Sequence, residues 1–123
     1  MTPFGEKIRR LRDERGVLLK DMAAELGVSS AYLSALEHGH RGRPGSGFVQ
    51  QICAYFDLIW DEAEEIRRLA HLSHPRIVID TAGLDPLATE LANVLADTIG
   101  DLDRETLQWI LDEINSRRPG ETA

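Results

Sequence analysis

The segment from Leu19 to Gly39, LKDMAAELGVSSAYLSALEHG, decides the fold of this chain. Its apolar residues recur at helical spacing on both sides of a glycine, Gly27. Gly27 suits the left-handed backbone that ends a helix, and Ser29 is a good N-cap for the helix that follows. Ala23 is small enough for two helices to cross closely. The segment therefore predicts two short helices joined by a tight turn, the second closed by Gly39.

The outward side of the second predicted helix is small or polar, with Ser30, Ala31, Tyr32, Ser34 and Ala35 between the apolar positions. Two helices joined in this way hold the second one at an angle that fits the major groove of DNA. The alternative is an ordinary helical hairpin, because Gly-Val-Ser also occurs in plain helix turns. The turn spacing, the small residue at the crossing and the outward face together favour DNA binding.

The flanking segments extend the pattern. FGEKIRRLRDERG (4–16) precedes the two helices, and RGRP (41–44) and a further helix follow them. Together these segments resemble the phage-repressor-like, XRE/Cro-type helix-turn-helix family of bacterial and phage transcription regulators, over roughly residues 3–72. The resemblance implies a compact five-helix, lambda-repressor-like DNA-binding domain, which in the family usually works as a dimer on an inverted repeat.

The resemblance also implies roles for individual residues. The family's base-facing positions fall on Ser30, Ala31, Tyr32, Ser34 and Ala35, and the first two often carry glutamine in the family. Serine and alanine offer few directed hydrogen bonds, so Tyr32 is expected to contact a base edge or a phosphate. Arg12 and Glu37 match a family salt bridge between the first helix and the recognition helix. The expected contacts to the DNA backbone or minor groove are Lys20, Ser29, His40, Arg41, Arg43 and Ser46.

The loop at residues 40–47 carries two arginines among glycines. Such arginines can enter a narrow minor groove, although a solvated turn is the alternative. Ser46 is predicted to cap the next helix, whose first N–H groups can hold a phosphate. Leu18 and Leu19 depart from the family's capping Thr or Ser and phosphate-binding Gln. Lys20 is therefore expected to supply that phosphate contact.

The net charge of −7 is divided unevenly along the chain. Residues 1–56 hold eight lysines and arginines against six acids, whereas residues 57–123 hold six arginines against fifteen acids. The acidic part should repel a phosphate backbone and lie away from it. A weakly basic DNA-binding domain should bind weakly by itself, which favours a dimer.

Several classes of protein and site are disfavoured. No apolar run approaches the length of a membrane span, and the N-terminus lacks the apolar core of a signal peptide, so a cytoplasmic protein with no membrane contact is expected. The single cysteine, Cys53, excludes an internal disulfide and is expected to be a buried small hydrophobe. His71 and His74 could share a metal only if a helix continued past Pro75, so neither metal nor cofactor is predicted.

The pattern changes after Pro75. The β-branched segment 76–80 predicts a short strand, which needs a partner and would find it in a second subunit. The alternative is an extended linker that packs its apolar residues on the fifth helix. Asp85 and Pro86 start another helix that Gly100 stops, and Asp101 or Asp103 caps a last one. The expected dimerisation residues are Ile77, Val78, Ile79, Leu91, Leu95, Ile110 and Ile114.

Together these features predict a mainly α protein. Residues 1–73 are the helix-turn-helix DNA-binding domain, and residues 74–123 are a dimerisation extension of a short strand and two helices. The predicted function is a sequence-specific regulator of transcription, more often a repressor, that binds double-stranded DNA as a homodimer on an inverted-repeat operator. No nucleophile–base pair, phosphate loop or paired-carboxylate site indicates an enzyme.

Two alternatives, each with a protein partner, are also compatible with the sequence. In the alternative function the chain is an antitoxin, whose extension binds a toxin and whose helix-turn-helix regulates its own gene. In a variant of the first function, the acidic start of the fifth helix contacts RNA polymerase and activates transcription.

Overall fold

The computed structural model describes residues 1–118, and within them it contains seven α-helices, one 3₁₀ turn and no β-strand. The chain divides into two units, Met1–Ile77 and Val78–Ala123. No helix in the described residues is long and apolar enough to cross a membrane. The helices are α1 (Pro3–Arg15), α2 (Leu19–Leu26), α3 (Ser30–Glu37), α4 (Ser46–Tyr55), α5 (Asp61–His71), α6 (Pro86–Thr98) and α7 (Arg104–Arg117), with the 3₁₀ turn at Ile99–Asp101.

Local signals set the helix ends of the first unit. The Thr2 hydroxyl accepts a hydrogen bond from the Gly5 N–H at 3.0 Å, and the Ser29 hydroxyl accepts one from the Tyr32 N–H at 3.0 Å. These bonds satisfy N–H groups that have no partner inside their own helix. Gly27 ends α2 with a left-handed φ of 73°, a conformation that costs a glycine little. The predicted turn between α2 and α3 is therefore formed.

One apolar core holds the first unit together. All five helices contribute to it, because each has an apolar stripe at helical spacing. α3 buries Leu33 and Leu36 in this core. The opposite side of α3 is left toward solvent, where Ser30 and Ala31 are exposed. The largest fully buried side chains are Phe4, Ile8, Met22, Leu33, Ile52, Phe56 and Ile66.

The predicted strand at residues 76–80 is wrong. The described chain forms no strand pairing there, and Ile77, Val78 and Ile79 are 69%, 95% and 56% exposed. β-branched residues favour an extended backbone, but a strand exists only when another strand pairs with it, and the described residues contain no other strand. The exposure of these side chains also contradicts the alternative of a linker that buries them.

The second unit starts its helices at aspartates. The Asp85 carboxylate accepts from the Leu87 N–H at 2.8 Å, and the Asp103 carboxylate accepts from the Thr106 N–H at 2.8 Å. Asp103, and not Asp101, is thus the cap of α7. Neither α6 nor α7 buries a residue among the positions that the structure describes. The two helices are capped at their N-termini, but none of their apolar side chains is buried in a core.

The functional division predicted at residues 73 and 74, into a DNA-binding domain and a dimerisation extension, stays a prediction. The residues expected to form the dimer contact differ in exposure. Leu91 and Ile114 are exposed, and Leu95 and Ile110 are half-buried.

Candidate nucleic-acid interface

The exposed edge of α3 carries the residues that the sequence places against DNA bases. Ser30 and Ala31, in its first turn, are exposed, while Tyr32, Ser34 and Ala35 are half-buried. Ser29, just before the helix, is exposed as well. Ser30 and Ala31 are therefore open to solvent, whereas Tyr32, Ser34 and Ala35 are partly covered, and the contact of all five with bases stays a prediction.

The ring of Tyr32 is held between two neighbours. It meets the Phe48 ring of α4 edge-on, with ring centroids 6.1 Å apart and planes at 75°. The guanidinium carbon of Arg41 lies 5.7 Å from the Tyr32 ring centroid. Edge-to-face aromatic pairs and cations over ring faces are both attractive arrangements. Tyr32 thus joins α3 to α4 and to the loop that connects them.

The two loop arginines have different neighbours. Arg41 lies against Tyr32, whereas the Arg43 Nη1 atom lies 3.0 Å from His71 Nδ1 and 3.3 Å from the His71 carbonyl oxygen. The Arg43 guanidinium donates to the His71 carbonyl oxygen and lies against the His71 ring. His40 and Lys20, the other predicted backbone contacts, are exposed. The two loop arginines therefore contact different helices, α3 and α5.

Ser46 does not cap α4 as predicted. Gly45 is the N-cap, Ser46 is the first helical residue, and no side chain accepts a hydrogen bond from this helix end. Glycine is tolerated at N-cap positions although it offers no acceptor. The first N–H groups of α4 therefore keep a partial positive charge without a side-chain partner, an arrangement that can bind an anion.

Arg12 of α1 and Glu37 at the end of α3 form a paired contact. The Arg12 Nη2 and Glu37 Oε1 atoms are 3.1 Å apart, and the Arg12 Nε atom donates to Glu37 Oε2 at 3.3 Å. The side chains are 12% and 3% exposed. Two parallel bonds from a planar guanidinium restrict orientation as well as distance. The pair therefore restrains the direction of α3 relative to α1.

Other titratable groups of this unit have local partners. α5 ends at His71, so His74 lies beyond the helix, and its Nδ1 accepts from the Arg76 N–H at 3.2 Å. The condition for a shared metal, a helix that continues to His74, is not met. No group of three or more metal-ligating side chains occurs among residues 1–118. Cys53 is buried, and this burial raises the pKa of its thiol, with a smaller opposite effect of Arg67.

A family model described as "Helix-turn-helix domain" matches residues 3–69, more than half of the chain. The chain belongs to this helix-turn-helix family. The match covers α1 to α4 and most of α5. It confirms the family resemblance that the segments 4–16, 19–39 and 41–44 indicated.

Curated relatives are regulators from Bacillus. The uncharacterized HTH-type transcriptional regulator RghRB of Bacillus subtilis is 37% identical over 54 residues, which are 44% of this chain and 39% of that protein. The HTH-type transcriptional repressor RghR of Bacillus subtilis is 38% identical over 52 residues, 42% of this chain and 38% of that protein. These names agree with the prediction that the chain is not an enzyme.

The HTH-type transcriptional regulator SinR of Bacillus subtilis is 32% identical over 55 residues, which are 45% of this chain and 50% of that protein. The chain therefore matches half or less of the length of these relatives. No solved structure matches the chain.

Two contacts of this helix-turn-helix domain were missed by sequence reasoning. One is the edge-on contact of Tyr32 with Phe48, which are sixteen positions apart and carry no local signal. The other is a close approach of Gly5 to the backbone of Glu37. A glycine inside a well-capped helix costs stability, so Gly5 was a signal that some backbone approaches at this position.

Proposed function

We propose that this chain is a sequence-specific regulator of transcription that binds double-stranded DNA, acts as a repressor, and works as a homodimer on an inverted-repeat operator. The observation that carries the proposal is the exposed edge of α3. Its side chains, at Ser30 and Ala31, are small, and the opposite side of the helix buries Leu33 and Leu36 in the core. Membership of the helix-turn-helix family and the regulator relatives support it.

The shape of α3 suits the major groove. The groove is about 12 Å wide and admits an α-helix. Small side chains at Ser30 and Ala31 would let the helix backbone approach the base edges closely, and Ala31 and Ala35 can contact thymine methyl groups. Few directed hydrogen bonds are available, so sequence preference would depend on Tyr32, on the loop arginines and on the local shape of the DNA.

The second unit supports a homodimer. α6 exposes Leu87, Leu91 and Val94, and α7 exposes Leu111 and Ile114, so each helix has uncovered apolar side chains. Removing such surface from water stabilises an association, and closed two-fold dimers are the commonest solution. A second copy of the chain offers the same apolar side chains. Leu95 and Ile110 lie beside these residues and complete the proposed contact.

Charge also favours two copies over one. Residues 78–118 hold nine acids against three arginines, so the second unit should contribute nothing to binding a phosphate backbone. The weakly basic helix-turn-helix domain must then gain affinity by doubling its contacts. A two-fold dimer would place its recognition helices roughly 34 Å apart, one turn of the duplex, or a multiple of that distance.

Repression is the simplest consequence of such binding, because a bound dimer blocks a promoter without further contacts. Activation would need RNA polymerase to be contacted, and the exposed acids at the start of α5, Asp61, Glu62 and Glu64, are the candidate surface. A promoter fusion that is repressed in the presence of the chain and relieved in its absence supports the proposal.

The antitoxin alternative is favoured by the same uncovered apolar side chains of α6 and α7. In that case a toxin, and not a second copy, would cover them. A toxin gene beside the gene for this chain, together with a purified chain that is monomeric, would favour the antitoxin. A stable dimer of the purified chain favours the regulator.

Selection of duplexes from a random pool tests the DNA-binding part directly. The full-length chain should enrich a common sequence, and Ala31→Glu, which places a negative charge on the exposed edge of α3, should abolish the enrichment. Ala54→Glu is the matched control, because Ala54 is an exposed alanine on α4 outside the proposed interface. Equal enrichment by both variants would contradict the proposed role of α3.

A further inference from the structure

A cavity of about 480 Å³ lies in the first unit, between the loop after α3, the start of α4 and the end of α5. Its volume falls in the range of pockets that bind small molecules, about 300–1,000 Å³. The cavity lies to the side of the α3 edge proposed to contact bases, since none of the predicted base-facing residues lines it.

The charged part of the wall is positive. Arg43 from the loop and Arg67 from α5 both line the cavity, and no described acidic residue does. A guanidinium has five N–H donors, and His71 engages only one nitrogen of Arg43. Donors of Arg43 therefore stay available to a ligand.

Arg67 is also able to change partner. Its Nη1 atom lies 2.8 Å from Glu64 Oε1, but the two side chains are 54% and 76% exposed. Exposed pairs of this kind contribute little stability, so a bound anion can compete for the guanidinium. Ser46 adds a hydroxyl donor on the same wall.

Apart from the polar side chains of Gln50 and His71, the rest of the wall is apolar. Val49 and Ala70, which line the cavity, are among the buried residues of the core. A lone phosphate gains nothing from such a floor and fills a small part of the space. A carbon skeleton attached to the anionic group would cover the floor and bury apolar surface.

We propose that this cavity is a binding site for a small organic anion, a molecule in which a carboxylate or phosphate group is attached to an apolar body. The anionic group binds between Arg43 and Arg67, and the apolar body lies against Val49 and Ala70. Arg43 and Ser46 are also expected contacts of the DNA backbone, so this site overlaps that expectation, and the experiment is therefore done without DNA.

The experiment is an NMR titration of the full-length chain without DNA, with the methyl groups of Val49 and Ala70 and the Ser46 amide as probes. Phenyl phosphate serves as the organic anion, inorganic phosphate as the anion without a body, and benzyl alcohol as the body without a charge. We expect saturable shifts of all three signals with phenyl phosphate, at least tenfold weaker binding of inorganic phosphate, and no saturation with benzyl alcohol.

Variants assign the binding to the two arginines. Arg43→Gln and Arg67→Gln should each weaken phenyl phosphate binding at least fivefold. Arg68→Gln is the matched control, because Arg68 is an exposed arginine of α5 that does not line the cavity. Unchanged thermal melting of the three variants would show that folding is intact.

Three results would overturn the proposal. The first is the absence of saturable shifts at Val49 and Ala70. The second is equal binding by wild type and both cavity variants. The third is a shift of the Ser46 amide alone that inorganic phosphate and a random DNA duplex reproduce, which would assign the wall to a phosphate of the DNA backbone.

Discussion

Gly5 of α1 lies directly against the last peptide of α3, at Glu37. A Cβ atom on Gly5 would be 2.0 Å from the Glu37 carbonyl oxygen. The same oxygen accepts a hydrogen bond from the Thr2 N–H at 3.1 Å. Together with the Arg12–Glu37 pair, this contact means that the end of α3 is held by backbone and side chain at once.

Gly5→Ala should therefore destabilise the first unit. The added methyl cannot be accommodated without moving α1 away from α3, and overpacking of this kind costs about 3 kcal/mol. Urea denaturation followed by circular dichroism measures the loss. Gly47→Ala is the control, because a Cβ on Gly47 meets no atom within 4 Å. Replacing that helical glycine should stabilise by about 0.5–1 kcal/mol. Equal stability of the two variants would disprove the close contact.

Arg12→Met should lower the free energy of unfolding by about 3–5 kcal/mol, because it leaves the buried Glu37 carboxylate without its partner. The double variant Arg12→Met with Glu37→Met should regain most of this loss. Arg10→Met is the control for an exposed pair, since Arg10 and Glu6 are 55% and 56% exposed and should contribute at most about 1 kcal/mol. A double variant no more stable than Arg12→Met would contradict the account of the pair.

Tyr32→Phe separates the two roles of Tyr32. The variant keeps the ring that packs on Phe48 and loses only the hydroxyl, so its thermal stability should match wild type. If the hydroxyl contacts a base, binding to the selected site should weaken by about 1–3 kcal/mol while binding to random duplex stays the same. Fluorescence anisotropy on both duplexes measures this. Equal weakening on both duplexes would indicate that the hydroxyl contacts a phosphate and not a base.

Leu91→Asp tests the proposed dimer contact. The charge on the apolar side of α6 should convert the dimer to a monomer in sedimentation equilibrium. It should also reduce the salt dependence of DNA binding, because fewer phosphates are neutralised at once. Asn93→Asp adds the same charge at an exposed polar position of α6 and should leave the dimer intact. A Leu91→Asp protein that stays dimeric would contradict the proposed surface.

The hydrogen bond between Asp103 and Thr106 at the start of α7 should be lost at acidic pH. Hydrogen bonds from the Thr106 side chain and from its N–H lower the pKa of Asp103. A lowered carboxyl pKa gives stability that is present above the ordinary aspartate value of about 3.9 and is lost as the pH falls through the folded-state value. The Thr106 amide should therefore shift in NMR spectra only below about pH 4. In Asp103→Asn this step should vanish, and a step that persists would contradict the assignment.

The parts of the fold that follow from the sequence are those with local causes. Thr2 and Ser29 cap helices three residues ahead, and Gly27 ends α2, so each of these can be predicted from a short window. The exposed edge of α3 follows from the same helical spacing. The helix-turn-helix unit of α2 and α3 was therefore predictable from the sequence.

The parts that could not be predicted depend on distant residues. Whether the segment 76–80 forms a strand depends on a pairing partner elsewhere, and none is present in the described chain. The contact of Gly5 with Glu37 and the division of the loop arginines between Tyr32 and His71 are also set by tertiary packing. Trp60, the N-cap of α5, has a positive φ of 52° that no local signal in the sequence predicts.

Hydroxyl-radical footprinting of the strongest genomic binding site tests the central claim most directly. A dimer of this kind should protect two half-sites of inverted sequence, with centres roughly 34 Å or a multiple of it apart, and Ala31→Glu should lose both. One unsymmetrical protected region, or binding without sequence preference, would contradict it.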